Sequence, residues 1–298
     1  MKNVIVVLNY NDFDTTVSFI NQVKDYKILD EIIVVDNCST DNSYKKLLKY
    51  QSKRITILKS LKNGGYGYGN NIGCKYANKK YKDVNIIISN PDIIVEEDVI
   101  KKLLSYLNKE NIDLIAPLVL QDGGVERGWK LITPFKRFWS SIPFVYKRLK
   151  KQKKDNFLFY ADDCFKNNKL VQVDVVTGCF FIVKGSSFKN IGYFDENIFL
   201  YGEEESVAYR LKEKKMKTFL CSSVSVIHNH SVSINKNFNK LRQIKFSNRS
   251  IYYVYKKYCN INIFDKLFLF FYSFNMYFKG YLSLILFYIK GVFRKEKK

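Results

Sequence analysis

Residues 4–8, Val-Ile-Val-Val-Leu, form an apolar run with no polar position in it. A strand that does not alternate is covered on both faces, which is the condition of a parallel sheet held between helices. The pattern continues in the same vein. Residues 14–23 carry Val17, Ile20 and Val23 at helical spacing, 31–35 predict a second strand, and 43–50 a helix. A third strand is expected over 55–58, a helix over 70–79 and a fourth strand over 85–88. Each strand closes on polar residues: Asn9, Asp36-Asn37, Asn63, and Asn90-Pro91-Asp92. This is an open α/β sheet, and such sheets take ligands at the carboxyl ends of their strands.

The middle of the chain differs. Residues 129–169 are rich in Lys and aromatics without clear periodicity, and include the basic run 146–154. They read as an excursion between two halves of one domain. Strands are expected over 171–176 and 179–183, with Thr177-Gly178 between them. A helix follows over 204–214, with strands near Thr218 and Val224, and the chain looks helical from Leu241 onward. The expected division is 1–128, the first half of the α/β domain; 129–170, the basic excursion; 171–238, its second half; and 239–298, a helical tail. The tail holds two uncharged runs, 267–278 and 281–289, split by Lys279-Gly280. Neither reaches the ~20 residues of a bilayer span. One imperfect span, two core helices and interfacial helices remain open. The aromatics beside Lys256, Lys257, Lys266, Lys279, Lys290 and Arg294-Lys295 favour the interface.

Charge narrows the partners. Among 298 residues, 50 are Lys or Arg against 28 Asp or Glu, a net charge of +22 that suits an anionic partner. The cysteines (38, 74, 164, 179, 221 and 259) include no Cys-x-x-Cys pair, which excludes a zinc ribbon and reads as reduced cytosolic thiols. His228 and His230 alone exclude a multi-histidine metal site, and the N-terminal apolar run is too short for a signal peptide. With 22 Tyr and 24 Phe, a nucleic-acid-binding module is a rival reading. No nucleic-acid motif accompanies it, so nucleic acid is not an expected partner.

Several polar clusters carry candidate chemistry. The stretch 63–71, Asn-Gly-Gly-Tyr-Gly-Tyr-Gly-Asn-Asn, is neither a P-loop nor a G-x-G-x-x-G motif. It precedes a helix, so its N–H groups either face an anion or only soften the helix start. Asp36 can accept hydrogen bonds from a base or ribose, while Ser39, Thr40 or Asp41 is placed to cap the next helix. Asn90-Pro91-Asp92 is either an ordinary turn or a carboxylate holding Mg²⁺ or Mn²⁺ against a diphosphate. Glu203-Glu204-Glu205 suit a helix N-terminus. Packed among Phe194, Phe199 and Tyr201, they also suit a general base of raised pKa. His228 is either structural or a metal ligand.

In combination the clusters point one way. In order they are Val-Asp-Asn-x-Ser-Thr-Asp-x-Ser (35–43), Asn-x-Gly-x-Gly-x-Gly-Asn-Asn-x-Gly (63–73), Asn-Pro-Asp (90–92), Thr-Gly-x-x-Phe (177–181) and Gly-x-Phe-Asp-Glu-x-x-Phe-x-Tyr-Gly-Glu-Glu (192–204), followed by His228. This succession resembles glycosyltransferase family 2, nearest its rhamnosyltransferase-like branch, over about residues 4–233. The resemblance implies a GT-A fold, a Rossmann-like open mixed sheet flanked by helices, here with a C-terminal helical extension. It implies inverting, metal-dependent transfer from a nucleotide-diphosphate sugar, dTDP-rhamnose or a UDP-sugar. The acceptor would be a saccharide or lipid-linked saccharide of a bacterial surface polysaccharide. Asp36 matches the acid that contacts the nucleobase, and Asn9, Asn63, Gly65 and Asn70 the nucleotide-proximal positions. Asp92 matches the metal-binding acid, with Mg²⁺ or Mn²⁺ as cofactor, and His228 the late histidine beside metal and diphosphate. Glu203-Glu204 match the acidic pair whose second member is the usual base. Two departures stand out: Glu204 replaces an Asp, and Ser206 replaces a second Asp. They leave the base open between Glu203 and Glu204, and a catalytically weak nucleotide-sugar-binding scaffold as an alternative. The implied location is the cytoplasmic face of an anionic plasma membrane, bound peripherally, with self-association through the C-terminal helices also open.

Overall fold

The computed structural model describes residues 1–109, 111–121, 124–151, 154–229 and 239–295. His230, the rest of 231–238, and Gln152-Lys153 of the basic run lie outside the described residues. The first half holds β1 (Lys2–Asn9), α1 (Phe13–Val23), β2 (Glu31–Asp36), α2 (Ser43–Leu47), β3 (Ile55–Lys59), α3 (Tyr66–Lys80), β4 (Val84–Ser89), β5 (Ile93–Ile94), α4 (Glu97–Lys109), β6 (Leu114–Gln121) and β7 (Gly124–Glu126). Then come α5 (Pro134–Ser141), α6 (Pro143–Lys151), α7 (Asp162–Asn167), β8 (Leu170–Gln172), β9 (Phe180–Lys184), α8 (Gly185–Asn190), α9 (Glu203–Glu213), β10 (Thr218–His228), α10 (Lys240–Tyr258) and α11 (Ile263–Lys295).

The strands form one mixed sheet in the order β3-β2-β1-β4-β9-β6-β10-β5, with β7 on β6 and β8 on β10. Strands β3 to β4 run parallel, β9 runs against both β4 and β6, and β10 is parallel to β6. Every residue of β2 and β4 is buried, which is what their unbroken apolar runs demand. One face packs on Phe19 and Ile20 of α1 and Leu103 and Leu107 of α4. The other packs on Cys74 and Ala77 of α3, Phe188 of α8 and Leu211 of α9.

The glycine stretch serves this packing. A Cβ on Gly69 would stand 2.3 Å from Leu8, and one on Gly73 2.5 Å from Val6, so α3 lies directly on β1. Helix α3 begins four residues earlier than its spacing predicts, because Gly65, at φ +92°, turns the chain into it. The two late strands expected near Thr218 and Val224 are one strand, β10, with a register irregularity between Cys221 and Ser225. The excursion holds helices α5 to α7. The first had a visible start: Pro134 occupies its first turn, and the Thr133 hydroxyl accepts the Lys136 N–H at 3.4 Å.

Helix α10 is part of the sheet domain's packing. Its Ile251, Val254 and Tyr255 are buried, and the Tyr255 hydroxyl donates to the Ile132 carbonyl at 2.7 Å. It also grips the loop between α8 and α9. The Asp195 carboxylate accepts hydrogen bonds from Tyr253 Oη (3.0 Å), Lys257 Nζ (2.8 Å) and Tyr258 Oη (2.5 Å). Ser250 donates to the Leu200 carbonyl, and Tyr201 Oη donates to Gln243 Oε1, both at 3.0 Å. Among the described residues no helix is long and apolar enough to cross a membrane. Helix α11 instead carries an exposed stripe at alternating spacings of three and four: Phe264, Leu267, Phe271, Phe274, Phe278, Tyr281 and Ile285.

Asp195 tests the grip. Burial alone would raise its carboxyl, but hydrogen bonds from Lys257, Tyr258 and Asn197 outweigh burial and hold it well below the usual carboxylate range. A depressed pKa contributes stability that is present above the unfolded value and lost as pH falls toward the folded one. Asp195→Asn is expected to cost about 2–4 kcal/mol at pH 7 by urea unfolding, since it strips a buried acceptor from an ammonium and two hydroxyls. The gap to wild type is expected to narrow as pH falls below the ordinary carboxylate range.

Candidate active site

The parallel register of β1, β2 and β4 brings their polar C-terminal residues side by side, with Asn9 opposite Asp36. Asp36 is fully buried. Its carboxylate accepts Asn9 Nδ2 at 2.8 Å and the Ser39 N–H at 3.0 Å, so it shapes the loop leaving β2. Asn9 Oδ1 in turn accepts the Thr16 hydroxyl at 2.8 Å. Asp41 stands one residue before the N-cap Asn42 of the short α2, and its carboxylate accepts the Ser43 N–H at 3.0 Å. Asn37 donates to both Asn63 Oδ1 and the Gly65 carbonyl at 3.1 Å, which ties the second strand end to the glycine loop.

The glycine loop meets the loop before α9. The Tyr66 N–H donates to the Phe199 carbonyl at 2.9 Å, so that donor is already engaged. A Cβ on Gly65 would stand 2.1 Å from the same oxygen. Asn70 donates to the Tyr66 carbonyl, while its Oδ1 is buried without a hydrogen-bond partner. Its neighbour Asn71 spans the gap, exchanging hydrogen bonds with the Phe194 backbone and reaching Glu196.

Asp92 follows β4 and meets His228 at the end of β10, where β5 and β10 pair. Asp92 Oδ1 is buried without a well-formed hydrogen bond, and His228 Nε2 lies 3.2 Å from it. The other imidazole nitrogen lies 3.1 Å from Gln121 Oε1, which fixes the ring. Among the described residues no cluster of three or more His, Cys, Asp or Glu side chains could hold a metal unaided.

The acidic helix start stands across the turn 177–179. Tyr201 and Gly202 both take left-handed backbone angles, φ +67° and +87°, before α9 begins at Glu203. That conformation is costly for a tyrosine, and the hydrogen bond to Gln243 of α10 holds it. Burial, and then the charge of Glu204, push the Glu203 carboxyl well above its usual range, and its Oε2 has no hydrogen-bond partner. Burial pushes Glu204 up to about 7, Glu205 adds to this, and backbone N–H groups including those of Gly178 and Gly202 pull the other way. A Cβ on Gly178 would stand 2.9 Å from Glu204 Oε1. The Asn90 N–H donates to the Cys179 carbonyl at 2.8 Å, and Tyr66 Oη to the Gly178 carbonyl at 2.7 Å. The turn thus joins the Asp92 side of the site to the Glu204 side.

The third acid has a different task. Glu205 is buried against Arg137 of α5 at 2.8 Å. Ser206, fully buried, donates to the Glu203 carbonyl at 2.9 Å, so the missing second acid leaves no buried charge there. Sequence reasoning did not single out Asn37, Tyr66, Asn71, Gly178, Asp195 or Arg137 as positioning residues. The doubled Asn70-Asn71 was a legible signal for Asn71; Arg137 had none.

The raised Glu204 has a sign. A carboxyl whose folded pKa lies above its unfolded one contributes stability that is fully present below about 4.5 and lost as pH rises through about 7. Glu204→Gln is therefore expected to raise the melting temperature at pH 8 by roughly 2 °C or more, with the difference shrinking toward pH 5. Differential scanning calorimetry at the two pH values reads this out, and a variant less stable than wild type at pH 8 contradicts it.

Known proteins match this arrangement. The sequence profile of Glycosyl transferase family 2 matches residues 4–171. Low-salt glycan biosynthesis hexosyltransferase Agl10 of Haloferax volcanii is 25% identical over 228 residues, 76% of this chain and 67% of its own. Rhamnosyltransferase WbbL of Escherichia coli K12 is 23% identical over 210 residues, 65% of this chain and 76% of its own. The crystal structure of GalNAc-T7 with UDP, GalNAc and Mn²⁺ superposes with a TM-score of 0.61 at 16% identity over 86% of this chain. It is matched over 48% of its own chain, so this chain spans about half its length. That likeness shows the fold, GT-A. With the profile covering more than half of its residues, the chain belongs to glycosyltransferase family 2.

Proposed function

We propose that this glycosyltransferase moves a hexose, with inversion, from a nucleotide-diphosphate sugar to a saccharide acceptor carried on a membrane lipid. The observation that carries the reading is the placement of Asp92 and His228 on one side of the turn 177–179 and Glu203 and Glu204 on the other. Asn9, Asp36, Asn63, Gly65 and Asn70 line the strand ends where an open α/β sheet receives a nucleotide. The orphaned Asn70 Oδ1 is an acceptor there without a protein partner.

Asp92 and His228 fit a divalent cation. A buried carboxylate oxygen without a hydrogen bond and an imidazole nitrogen beside it are suitable donors, and Mg²⁺ or Mn²⁺ completes its shell with water and phosphate oxygens. When bound, such an ion supplies neutralisation of the diphosphate leaving group. Glu204 takes the proton from the attacking hydroxyl: a carboxyl that titrates at about 7 is basic enough to accept it and ionised enough to act near neutral pH. Glu203, wholly buried beside it, is the alternative base. One displacement on an oxocarbenium-like centre inverts it, and no protein nucleophile is required. Donors of UDP and dTDP type are both supported, the first by the UDP bound to GalNAc-T7 and the second by the rhamnosyl transfer in WbbL's name.

The exposed aromatic stripe of α11, beside a net charge of +22, supports attachment to the cytoplasmic face of an anionic membrane. An interfacial helix buries its apolar face without spanning.

Two tests follow from this reading. Turnover is measured with a panel of UDP-, GDP- and dTDP-hexoses plus Mg²⁺ or Mn²⁺. Glu204→Gln is expected to lower kcat by ~10²-fold or more with donor affinity nearly kept, and Asp92→Ala to abolish activity and weaken donor binding. Full activity of Asp92→Ala in EDTA defeats the metal assignment, and the loss appearing in Glu203→Gln alone reverses the roles. For the membrane, the chain is expected to co-sediment with anionic liposomes, less at high salt but not to zero, since apolar burial is not screened. Indifference to liposomes, with a dimer in solution, would assign the stripe to self-association instead.

A further inference from the structure

Three consecutive glutamates open α9, and one cation serves them. Among the described residues, the ion pair of Arg137 Nη2 with Glu205 Oε1, at 2.8 Å, is the only salt bridge made to any of the three. Both side chains are buried, at 16% and 8% exposure. Arg210, on the same helix, donates instead to the carbonyls of Ser206 (2.9 Å) and Ile191 (2.7 Å). Position 206 is a serine, so no further acid competes there for the Arg137 guanidinium.

Arg137 is held from behind. Its Nε donates to Tyr255 Oη at 3.3 Å, and the Tyr255 hydroxyl donates to the carbonyl of Ile132, two residues before α5 begins. Helix α5 is itself fixed on α11, where Phe135 and Phe138 meet Phe268 and Asn275 Nδ2 donates to Ser141 Oγ at 2.7 Å. The exposed Phe135 and Trp139 lie two residues to either side of Arg137, about 200° around the axis, so the guanidinium leaves the opposite face of that helix. The cation therefore has a fixed origin on one element and a fixed target on another, and a guanidinium stays charged at any working pH.

Glu204 is surrounded by groups that are negative or neutral. Facing it are Glu203 and Glu205 on its own helix, Tyr66 of α3, Cys179 in the turn, Tyr201 before α9, and Asp174, which shares a small apolar hollow with it. Burial pushes the Tyr66 and Tyr201 hydroxyls and the Cys179 thiol up, so these three stay neutral around pH 7. Burial pushes Glu203 up as well, and the Asp174 carboxylate accepts the Leu131 N–H at 3.0 Å. Glu205 is the acid whose charge another element balances. An ion pair acts on its surroundings as a dipole and not as a net charge, which weakens its repulsion of a neighbouring carboxylate. Glu205 also gains nothing from a proton, since taking one leaves a buried guanidinium uncompensated.

We propose that Arg137 is a positioning residue for the transfer: it commits Glu205 to an ion pair, anchors the first turn of α9 to α5, and so leaves Glu204 and not Glu205 to exchange a proton with the acceptor. The assignment rests on the glycosyl-transfer reading above and adds to it the residue that separates two adjacent acids into one ion-pair partner and one base.

The test is a charge cycle read as the pH dependence of kcat, with the hexose donor that the turnover panel selects. Arg137→Gln leaves Glu205 uncompensated. The acid limb of the profile is expected to rise by about one pH unit, a ~10-fold loss of kcat near pH 6 but under ~2-fold near pH 8.5, with donor KM nearly kept. Glu205→Gln leaves the cation uncompensated, and the limb is expected to fall by a similar amount. The double variant is neutral at both positions and is expected to return the limb to within ~0.3 pH unit of wild type. It buries no unpaired charge, so with Glu205→Gln it carries the comparison if Arg137→Gln does not fold. A merely structural pair lowers kcat equally at every pH and leaves the limb in place. That result, or a double variant displaced as far as a single one, overturns the proposal. Calorimetry separates this proposal from the transfer reading. The pH at which Glu204→Gln begins to stabilise the chain is measured in the wild-type and Glu205→Gln backgrounds, and is expected to be about one unit lower in the second. That shift without turnover of any donor removes the transfer reading and keeps the link from the pair to Glu204. Turnover without the shift overturns the link alone.

Discussion

The Asp195 carboxylate, gripped by Tyr253, Lys257 and Tyr258, is the interaction on which the active-site side of the molecule depends. Strands and their buried faces could form without it. The loop from Asp195 to Gly202 is another matter: it has no sheet partner, contains a tyrosine in a left-handed conformation, and must deliver Glu203 and Glu204 to a fixed place. Helix α10 provides the outside of that mould. Phe246 packs on Phe199 at 4.7 Å, Ser250 holds Leu200, and Gln243 holds Tyr201. From the inside, Asn71 holds Phe194 and the Tyr66 N–H holds Phe199. The loop is thus fixed from two sides, one on α3 and one on α10, and burial of two carboxylates at its end becomes tolerable because the surroundings cannot relax away from them.

The electrostatics follow from the same enclosure. Three successive acids at a helix start are favoured by the helix dipole, yet the three differ once packed. Glu205 pairs with Arg137. Glu204 is left with backbone donors and is pushed up to about 7 by burial, and burial also drives Glu203 well above its usual range. One sequence run supplies a structural ion pair and a carboxyl of raised pKa because adjacent helical positions face different neighbours, 100° apart around the axis.

Much of the sheet was legible because burial on both faces leaves a direct mark: β1, β2 and β4 read as unbroken apolar runs, and their polar ends mark the ligand edge. Helices α5 to α7 were not legible as a set, since each is short and shows no regular apolar period, although Thr133-Pro134 marked the start of α5. Motif order singled out Glu203, Glu204, Asp92 and His228, whereas the environment that pushes Glu204 up to about 7 did not follow from it. That environment comes from Gly178, Tyr66 and α10, which are far apart in sequence. The glycine stretch shows the same limit from the other direction. Its sequence allowed an anion cradle or a soft helix start, and the deciding fact, the approach of α3 to Val6 and Leu8, is a packing distance.

The hydrogen bonds that Asp195 accepts from α10 span 58 to 63 residues of sequence. Synthesis proceeds from the N-terminus at ~5–20 residues per second. The strands through β10 end 25 to 30 residues before Tyr253 and Tyr258, so they leave the ribosome about 1–6 seconds before those residues arrive to fix the loop. During that interval the nascent chain holds the sheet and its polar strand ends but no anchored carboxylates, so the acidic loop is fixed only when α10 is made and not with the sheet.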